Sequence, residues 1–214
     1  MNILKNISGS VQSGDIQQTG ELVIHALEQN NPPAGILREG LVAGMIEIQK
    51  KIRQGEVLNS EGLIAEQAMN AGLEILMPVL KEGRNQPIGT VITGTLEGDL
   101  CEIEKNIISI LMQSLGLKVI DLGSSVSSIR FIEAALAEKA HIIACSTMLI
   151  TFLPRMKTLV LAASQANIRG RTRILLSGGP VTEWFCKSIG ADIYAQDMIQ
   201  AAEMAAEYCR KTVK

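Results

Sequence analysis

Apolar residues along the chain follow two different periods, one on each side of Pro87. Before about residue 83 they recur at helical spacing, and turn signals at residues 13–14, 30–33 and 55–59 interrupt them. Four helices are the natural count, with one apolar face on each of the last two. Those two faces consist of Ile36, Leu37, Leu41, Met45, Ile48 and Ile52, and of Leu63, Ile64, Ala68, Met69, Leu73, Leu76 and Leu80. Helices of this kind bury their apolar faces against one another, so this half predicts an antiparallel four-helix bundle.

After Pro87 the chain alternates between short apolar runs and helical segments. The runs cover residues 88–93, 118–122, 142–146 and 173–177 and a short stretch around Ile193. The helices are predicted to begin near Asp99, Ser127, Leu153, Val181 and Asp197. Strands without alternating polarity, joined by crossover helices, are typical of a parallel sheet covered on both faces. We therefore expect a helical domain over residues 1–86, packed over the carboxyl ends of the strands of a doubly wound, five-stranded α/β domain over residues 87–214.

Ligands of doubly wound sheets bind at the carboxyl ends of the strands, beside the point where strand order reverses. Three segments at such ends stand out: residues 94–98 after the first strand, 146–148 after the third and 178–180 after the fourth. Their glycines allow backbone to approach a ligand closely. The sequence thus predicts a binding crevice formed by these loops.

Charge and composition exclude several classes of protein. The chain has 20 basic and 22 acidic side chains and no basic run, which argues against a nucleic-acid partner. Its four cysteines are far apart in sequence, without a Cys-x-x-Cys pair, as in reduced cytosolic proteins. The N-terminus has no basic-then-apolar leader, and no uninterrupted apolar run reaches membrane-spanning length. We expect a soluble, cytoplasmic protein without a membrane partner.

One stretch, residues 94–106, carries a resemblance to a known family. It reads Gly-Thr-Leu-Glu-Gly-Asp-Leu-Cys-Glu-Ile-Glu-Lys-Asn. It resembles the cobalt-binding loop of cobalamin-dependent proteins, Gly-Thr-x-x-Gly-Asp-x-His-x-x-Gly-Lys-Asn, whose histidine lies beneath the cobalt. Asp99, Lys105 and Asn106 match that pattern, whereas Cys101 occupies the histidine position and Glu104 a glycine position.

The resemblance extends over nearly the whole chain. Residues 40–45, 55–56 and 65–76 match the helical cap that covers the upper face of the cobalamin in this family. Residues 116–123, Ser146-x-Met148, where the family favours leucine, and Gly178-Gly179-Pro180 match the pocket for the nucleotide tail. The chain is similar to the small corrinoid proteins that partner methyltransferases and to the matching module of methionine synthase. This implies a Rossmann-like, flavodoxin-type α/β domain behind the helical cap.

The resemblance also implies a function and a set of binding residues. The chain would carry a methyl group on cobalt between methyltransferase subunits, as a carrier rather than a complete enzyme, and a homodimer is left open. The cobalamin would be bound with its dimethylbenzimidazole displaced and without a protein histidine on cobalt. The implied cofactor-binding residues are Gly94, Thr95, Gly98, Asp99, Cys101, Glu104, Ser146, Met148, Gly178, Gly179 and Met69, with Cys101 as the one candidate metal ligand.

Two of these positions have simpler interpretations from local pattern alone. Asp99 and Glu102 form a helix-capping pattern, which we favour over a role for Asp99 in orienting a ligand. Cys101 is then predicted in the first helical turn. There it is either a thiolate ligand of cobalt or a small, mostly buried thiol, and the nearby Glu102 and Glu104 favour the second.

Simpler interpretations also hold for the other candidate residues. Glu104 is expected to point to solvent from the first helical turn. The three methionines Met45, Met69 and Met77 are most simply core residues, although such side chains also suit the upper face of a ring. The only histidines, His25 and His141, are expected at solvated positions.

Two other classes of function remain open from sequence. One is a non-catalytic protein that senses, stores or delivers a corrinoid or another tetrapyrrole, which the missing histidine and the added Glu104 favour. The other is an interaction subunit whose pocket is a relic. The intact glycines Gly94, Gly98, Gly178 and Gly179 argue against that last reading.

Overall fold

The computed structural model describes residues 2–81 and 86–212. The chain divides into two compact units, Met1–Gly83 and Arg84–Lys214. The first is helical and the second is built on a parallel sheet. The proposed placement of the first unit over the strand ends stays a prediction.

The helical unit has helices where the apolar periodicity predicts them. Its elements are α1 (Ile3–Ser13), α2 (Ile16–Glu28), α3 (Pro33–Gly35), a π-helical segment (Ile36–Val42), α4 (Ala43–Gln54) and α5 (Asn59–Lys81). Because α3, the π-helical segment and α4 follow one another without a break, the count of four helical stretches is confirmed. Left-handed Gly14 ends α1 and left-handed Gly55 ends α4, as expected of C-terminal glycines.

Small residues bring the helices of this unit close together. A Cβ atom at Gly40 would lie 2.9 Å from Ile7 Cγ2, and one at Gly44 would lie 2.8 Å from the carbonyl oxygen of Ser8. Most of the predicted apolar positions are buried. Leu63 and Ile64 are instead 58% and 48% exposed, so their assignment to the buried face of the last helix is wrong.

Helix α5, with 23 residues, is the longest helix among the described residues of the unit. Within the described ranges, its segment Ser60–Leu80 is long and apolar enough by length and composition to cross a membrane. The core helix of a globular unit passes the same test, and Met69 and Leu76 of this segment are buried.

The second unit confirms the predicted α/β alternation. Its elements are β1 (Thr90–Thr93), α6 (Ile103–Ser114), β2 (Lys118–Asp121), α7 (Ser128–Ala137), β3 (Ile142–Ser146), a 3₁₀ turn (Ile150–Phe152), α8 (Leu153–Gln165), β4 (Arg173–Ser177), α9 (Glu183–Ile189), β5 (Ile193–Tyr194) and α10 (Met198–Thr212). The strands pair in parallel in the order β2-β1-β3-β4-β5. This is the flavodoxin-like doubly wound order, whose switch point lies between β1 and β3.

The buried sheet explains why the strands read as continuous apolar runs. All five residues of β3 are buried, and apolar side chains from α7 and α8 pack against the same core as Ile143, Ile174 and Leu176. Helix α6 packs with α10, and α7 packs with α8, as expected of two helical layers on opposite faces. The carboxyl ends of β1, β3 and β4 therefore lie side by side, where the binding loops leave the sheet.

Candidate functional site

Hydroxyl-bearing residues end three adjacent strands and line a crevice at the switch point. Thr93, Ser146 and Ser177 are the last residues of β1, β3 and β4, and Ser146 is paired with Ser177 in the sheet. All three are buried. The crevice is lined by Thr93, Lys105, Ile108, Ala144, Cys145, Ser146, Leu175 and Ser177.

One polar atom in this crevice points to a ligand. Among the described residues, Ser177 Oγ is buried without a hydrogen-bond partner. Buried hydroxyls nearly always have such a partner, because an unpaired one loses its hydration without compensation. A polar group inserted into the crevice would satisfy it. Sequence analysis assigned Ser146 to this region and missed Ser177 and Thr93, although both are the final residues of predicted strands.

The loop after β1 is fastened to the loop after β2 through Thr95, which is fully buried. Its backbone N–H donates to Gly123 O at 3.0 Å, and its carbonyl accepts from Val126 N at 2.9 Å. Its hydroxyl donates to Asp99 O at 2.5 Å and accepts from Ser125 N at 2.9 Å. Thr95 thus holds the loop in shape, which is a structural role that the sequence pattern did not indicate.

Glycines give this loop its close packing and its turn. A Cβ at Gly94 would lie 2.9 Å from Phe131 Cζ, so only glycine fits beside that ring. Gly98 has φ +90°, in the left-handed region, and its N–H donates to Ser125 Oγ at 3.0 Å. Both glycines therefore have a structural reason to be present, independent of any ligand.

Asp99 does not cap helix α6, which corrects the sequence interpretation. The helix begins at Ile103, and Glu102 is at the N-cap without a side-chain capping bond. Asp99 is 2% exposed; its Oδ1 accepts from Cys101 N at 3.0 Å, and its Oδ2 accepts from Thr147 Oγ1 at 2.9 Å. These contacts hold the residues before Ile103 in a loop, so the capping pattern is overridden by a contact across the sheet.

Cys101 therefore lies outside the first helical turn, and it is exposed rather than mostly buried. In the described parts of the chain, no three His, Cys, Asp or Glu residues are grouped so that they could hold a metal ion. Any cobalt ligation by Cys101 would have to be that of a single protein ligand.

Glu104 and His141 also differ from expectation. Glu104 is 5% exposed, so it does not point to solvent as predicted from its position in the helix. His141 is partly buried, and its Nδ1 accepts from Thr90 N at 3.1 Å, which fixes the start of β1. His25 is exposed, as expected. The carboxylate at 104 thus adds buried bulk where the related loop has glycine.

Lys105 anchors the beginning of α6 to the end of β2. It is 3% exposed, and its ammonium pairs with Asp121 Oδ2 and with Glu102 Oε1, the latter at 3.2 Å. Asp121 Oδ1 in turn accepts from Gly123 N at 2.9 Å. A buried ammonium requires such partners, so Lys105 is best explained as a support for the loops around the crevice.

Gly178 and Gly179, which were predicted to line the pocket for the nucleotide tail, have different surroundings. Gly178 has φ +118°, and a Cβ there would lie 1.9 Å from Thr147 O. Gly179 has no such crowding, since its nearest neighbour would be Met148 Cε at 3.7 Å. Gly178 is therefore required by the backbone, whereas a Cβ at Gly179 would make only an ordinary van der Waals contact with Met148.

Exposed apolar side chains flank the Asp99 loop. Leu100 is 76% exposed, and Leu149 and Ile150, which follow β3, are 53% and 70% exposed. Phe152 lies near Gly98, since a Cβ at that glycine would approach its ring at 3.5 Å. A large apolar ring with a polar tail fits this combination of apolar rim and hydroxyl-lined crevice.

In the helical unit, the candidate residue Met69 is 1% exposed, as expected of a core residue.

The four cysteines differ sharply in accessibility. Cys101 is exposed, while Cys145, Cys186 and Cys209 are buried. Burial raises the pKa of Cys145, and it raises the pKa values of Cys186 and Cys209 to about 11. The buried thiols are thus protonated and shielded near neutral pH.

We expect one thiol to react in the native protein at pH 8. Iodoacetamide followed by peptide mass spectrometry should find Cys101 modified, with the three buried cysteines protected until the chain is unfolded. Modification in guanidinium chloride, where all four should react, is the control. Rapid native modification of Cys145 would contradict the described burial.

Comparison with known proteins shows which family the chain belongs to. The family described as "B12 binding domain" matches residues 89–203, and a second family of the same description matches residues 3–77. Trimethylamine corrinoid protein 1 of Methanosarcina mazei is 32% identical over 196 residues, 91% of each chain. Dimethylamine corrinoid protein 1 of Methanosarcina acetivorans is 31% identical over 209 residues, 96% of each.

A solved structure supports the same assignment. The Methanosarcina barkeri monomethylamine corrinoid protein superposes with a TM-score of 0.80 at 25% identity, covering 96% of this chain and 97% of that one. The predicted flavodoxin-type fold and the predicted resemblance are thereby confirmed. The chain belongs to the family of B12-binding corrinoid proteins of methyltransferase systems.

Proposed function

We propose that this protein binds a corrinoid and carries a methyl group on it between partner methyltransferases. The observation that carries the proposal is the hydroxyl-lined crevice at the switch point of the sheet, where Ser177 Oγ is buried without a hydrogen-bond partner. Relatives of this chain are named corrinoid proteins. The bound corrinoid would supply the methyl-carrying cobalt, chemistry that side chains do not offer. The protein's own contribution is to bind, orient and shield.

We assign the crevice to the nucleotide tail of a cobalamin whose dimethylbenzimidazole is displaced. Ser146 and Ser177 offer hydroxyls at adjacent strand ends. Leu100, Leu149 and Ile150 are exposed apolar groups suited to a ring face.

We further propose that no protein histidine binds the cobalt and that Cys101 stays a thiol. The described chain offers Cys101 at the relevant loop position, with its backbone N–H fixed to Asp99. A thiolate there would add a negative charge close in sequence to the carboxylates of Glu102 and Glu104, and repulsion between like charges disfavours the thiolate. The lack of a basic axial ligand is compatible with carrier function, because it favours the reduced metal.

Titration of the apoprotein tests binding. Micromolar protein should take up cob(II)alamin, with the absorbance and EPR spectrum of a base-off form lacking splitting from an axial nitrogen. Cobinamide, which lacks the nucleotide tail, should bind more weakly because it cannot fill the crevice. Failure to bind, or a nitrogen splitting with cobalamin, would contradict the proposal.

Methyl transfer separates a carrier from a sensor or delivery protein. The loaded protein should accept a methyl group from one methyltransferase and pass it to a second. Candidate partners are those encoded beside the gene. Binding without transfer to any such partner would favour the non-catalytic alternative. The exposed Cys101 and the buried Glu104 would then be features of a sensor or delivery protein.

A further inference from the structure

Thr147 stands at the junction of three loops of the site. It follows β3 directly and is 2% exposed. Its hydroxyl lies 2.9 Å from Asp99 Oδ2 and 3.5 Å from Leu149 O. One hydroxyl hydrogen donates to one acceptor at full strength, and the shorter distance to a carboxylate selects Asp99.

The same residue contacts the loops on its other sides. Leu149 N donates to Thr147 Oγ1 at 3.3 Å, so the hydroxyl accepts from one loop while donating to another. Thr147 N donates to Ser177 O at 3.3 Å. Its carbonyl oxygen occupies the space that a Cβ at Gly178 would need.

Asp99 transmits this contact to the loop after β1. Its Oδ1 accepts from Cys101 N, and its carbonyl accepts from Thr95 Oγ1 and from Ser125 N at 3.1 Å. The loop is therefore a closed set of hydrogen bonds, and the Thr147 hydroxyl ties it to the end of β3. Losing that hydroxyl would leave a buried carboxylate oxygen without this donor.

We propose that Thr147 is a positioning residue of the corrinoid site, whose hydroxyl fixes the Asp99 loop, with Leu100 and Cys101, against the loop that carries Leu149 and Ile150. Thr147 acts on the site through its hydrogen bonds with Asp99 and Leu149 and not through a contact with the ligand. The expected effect of Thr147 on corrinoid affinity rests on the proposed function, whereas its expected effect on the geometry of the loop does not.

The ligand-free protein tests the geometry. Thr147→Val keeps the shape and removes the hydroxyl, and we expect it to raise the alkylation rate of the already exposed Cys101, because the loop that carries this thiol is then less constrained. Thr147→Ser keeps the hydroxyl and should react at the parent rate. Equal rates for valine and parent, or equal rates for serine and valine, would overturn the proposal.

Misfolding is separated from loop opening by the other thiols. If Thr147→Val unfolds, Cys145, Cys186 and Cys209 will react as well, and Asp99→Asn then provides the test. That variant leaves Thr147 in place and removes one acceptor oxygen, so it should also accelerate Cys101 with the buried thiols protected. Parent-like reactivity of Cys101 in a folded Asp99→Asn protein would overturn the proposal.

Cobalamin affinity tests the functional part. Thr147→Val should bind cob(II)alamin about tenfold more weakly than the parent, and Thr147→Ser should restore binding. Unchanged affinity in the valine variant would overturn the assignment of Thr147 to the site. If the parent protein itself binds no cobalamin, the proposed function fails, while the alkylation rates still decide whether Thr147 fixes the loop.

Discussion

Gly178→Ala is expected to destabilise the α/β unit by roughly 3 kcal/mol or more. The residue has φ +118°, and the added Cβ would lie 1.9 Å from Thr147 O and 2.9 Å from Thr147 N. These are backbone atoms, which no rotamer change can move away, so the loop after β4 must shift. Urea denaturation followed by circular dichroism should show the loss, and the soluble yield should fall.

Gly179→Ala is the matched control for that variant. Its Cβ would meet Met148 Cε at 3.7 Å, an ordinary van der Waals distance. Its effect on the free energy of unfolding should stay below about 1 kcal/mol. Similar losses for the two variants would show that the loop as a whole, and not the backbone at Gly178, resists substitution.

The double variant Cys101→His, Glu104→Gly should acquire an axial nitrogen that the parent protein lacks. It restores the loop pattern that this chain resembles, and it removes a buried carboxylate that is 5% exposed. Asp99, fixed two residues before position 101, is placed to hydrogen-bond an imidazole there. In the EPR spectrum of the cob(II)alamin form, each cobalt hyperfine line should become split by the axial nitrogen, a splitting that the parent protein should lack.

Two single variants make this experiment decisive. Cys101→Ser should hardly alter the cobalt spectrum, whereas loss of the corrinoid or a strong absorbance shift would identify the thiol as the lower ligand. Cys101→His alone measures how far Glu104 blocks ligation. If the double variant binds the corrinoid but its EPR spectrum shows no splitting from an axial nitrogen, the loop places position 101 out of reach of the cobalt.

Much of the fold was predictable because its signals are local. Strands β3 and β4 were predicted with the bounds that the structure shows, and helix α7 begins one residue after the predicted Ser127. Their boundaries depend on short apolar runs and on neighbouring caps, which a sequence displays directly. A doubly wound, flavodoxin-type sheet was predicted from crossover rules and the family resemblance, and the structure confirms it with five parallel strands in the order β2-β1-β3-β4-β5.

The errors lie where a distant residue overrides a local pattern. Asp99 and Glu102 read as a helix cap, but the contact that decides the loop comes from Thr147, 48 residues further along the chain. Glu104 reads as a solvent-facing residue of a first helical turn, yet it is buried. No periodicity signals either outcome. The candidate residues around them remain proposals until a ligand is bound.

The anchoring of Asp99 affects how the motif is read in related sequences. Its two carboxylate oxygens are engaged by the backbone of Cys101 and by the hydroxyl of Thr147. This aspartate therefore has a role in the shape of the loop that does not depend on a histidine two residues later. An aspartate at this position in a newly sequenced relative then indicates an intact loop, and only the residue two places later reports whether a histidine ligand is available.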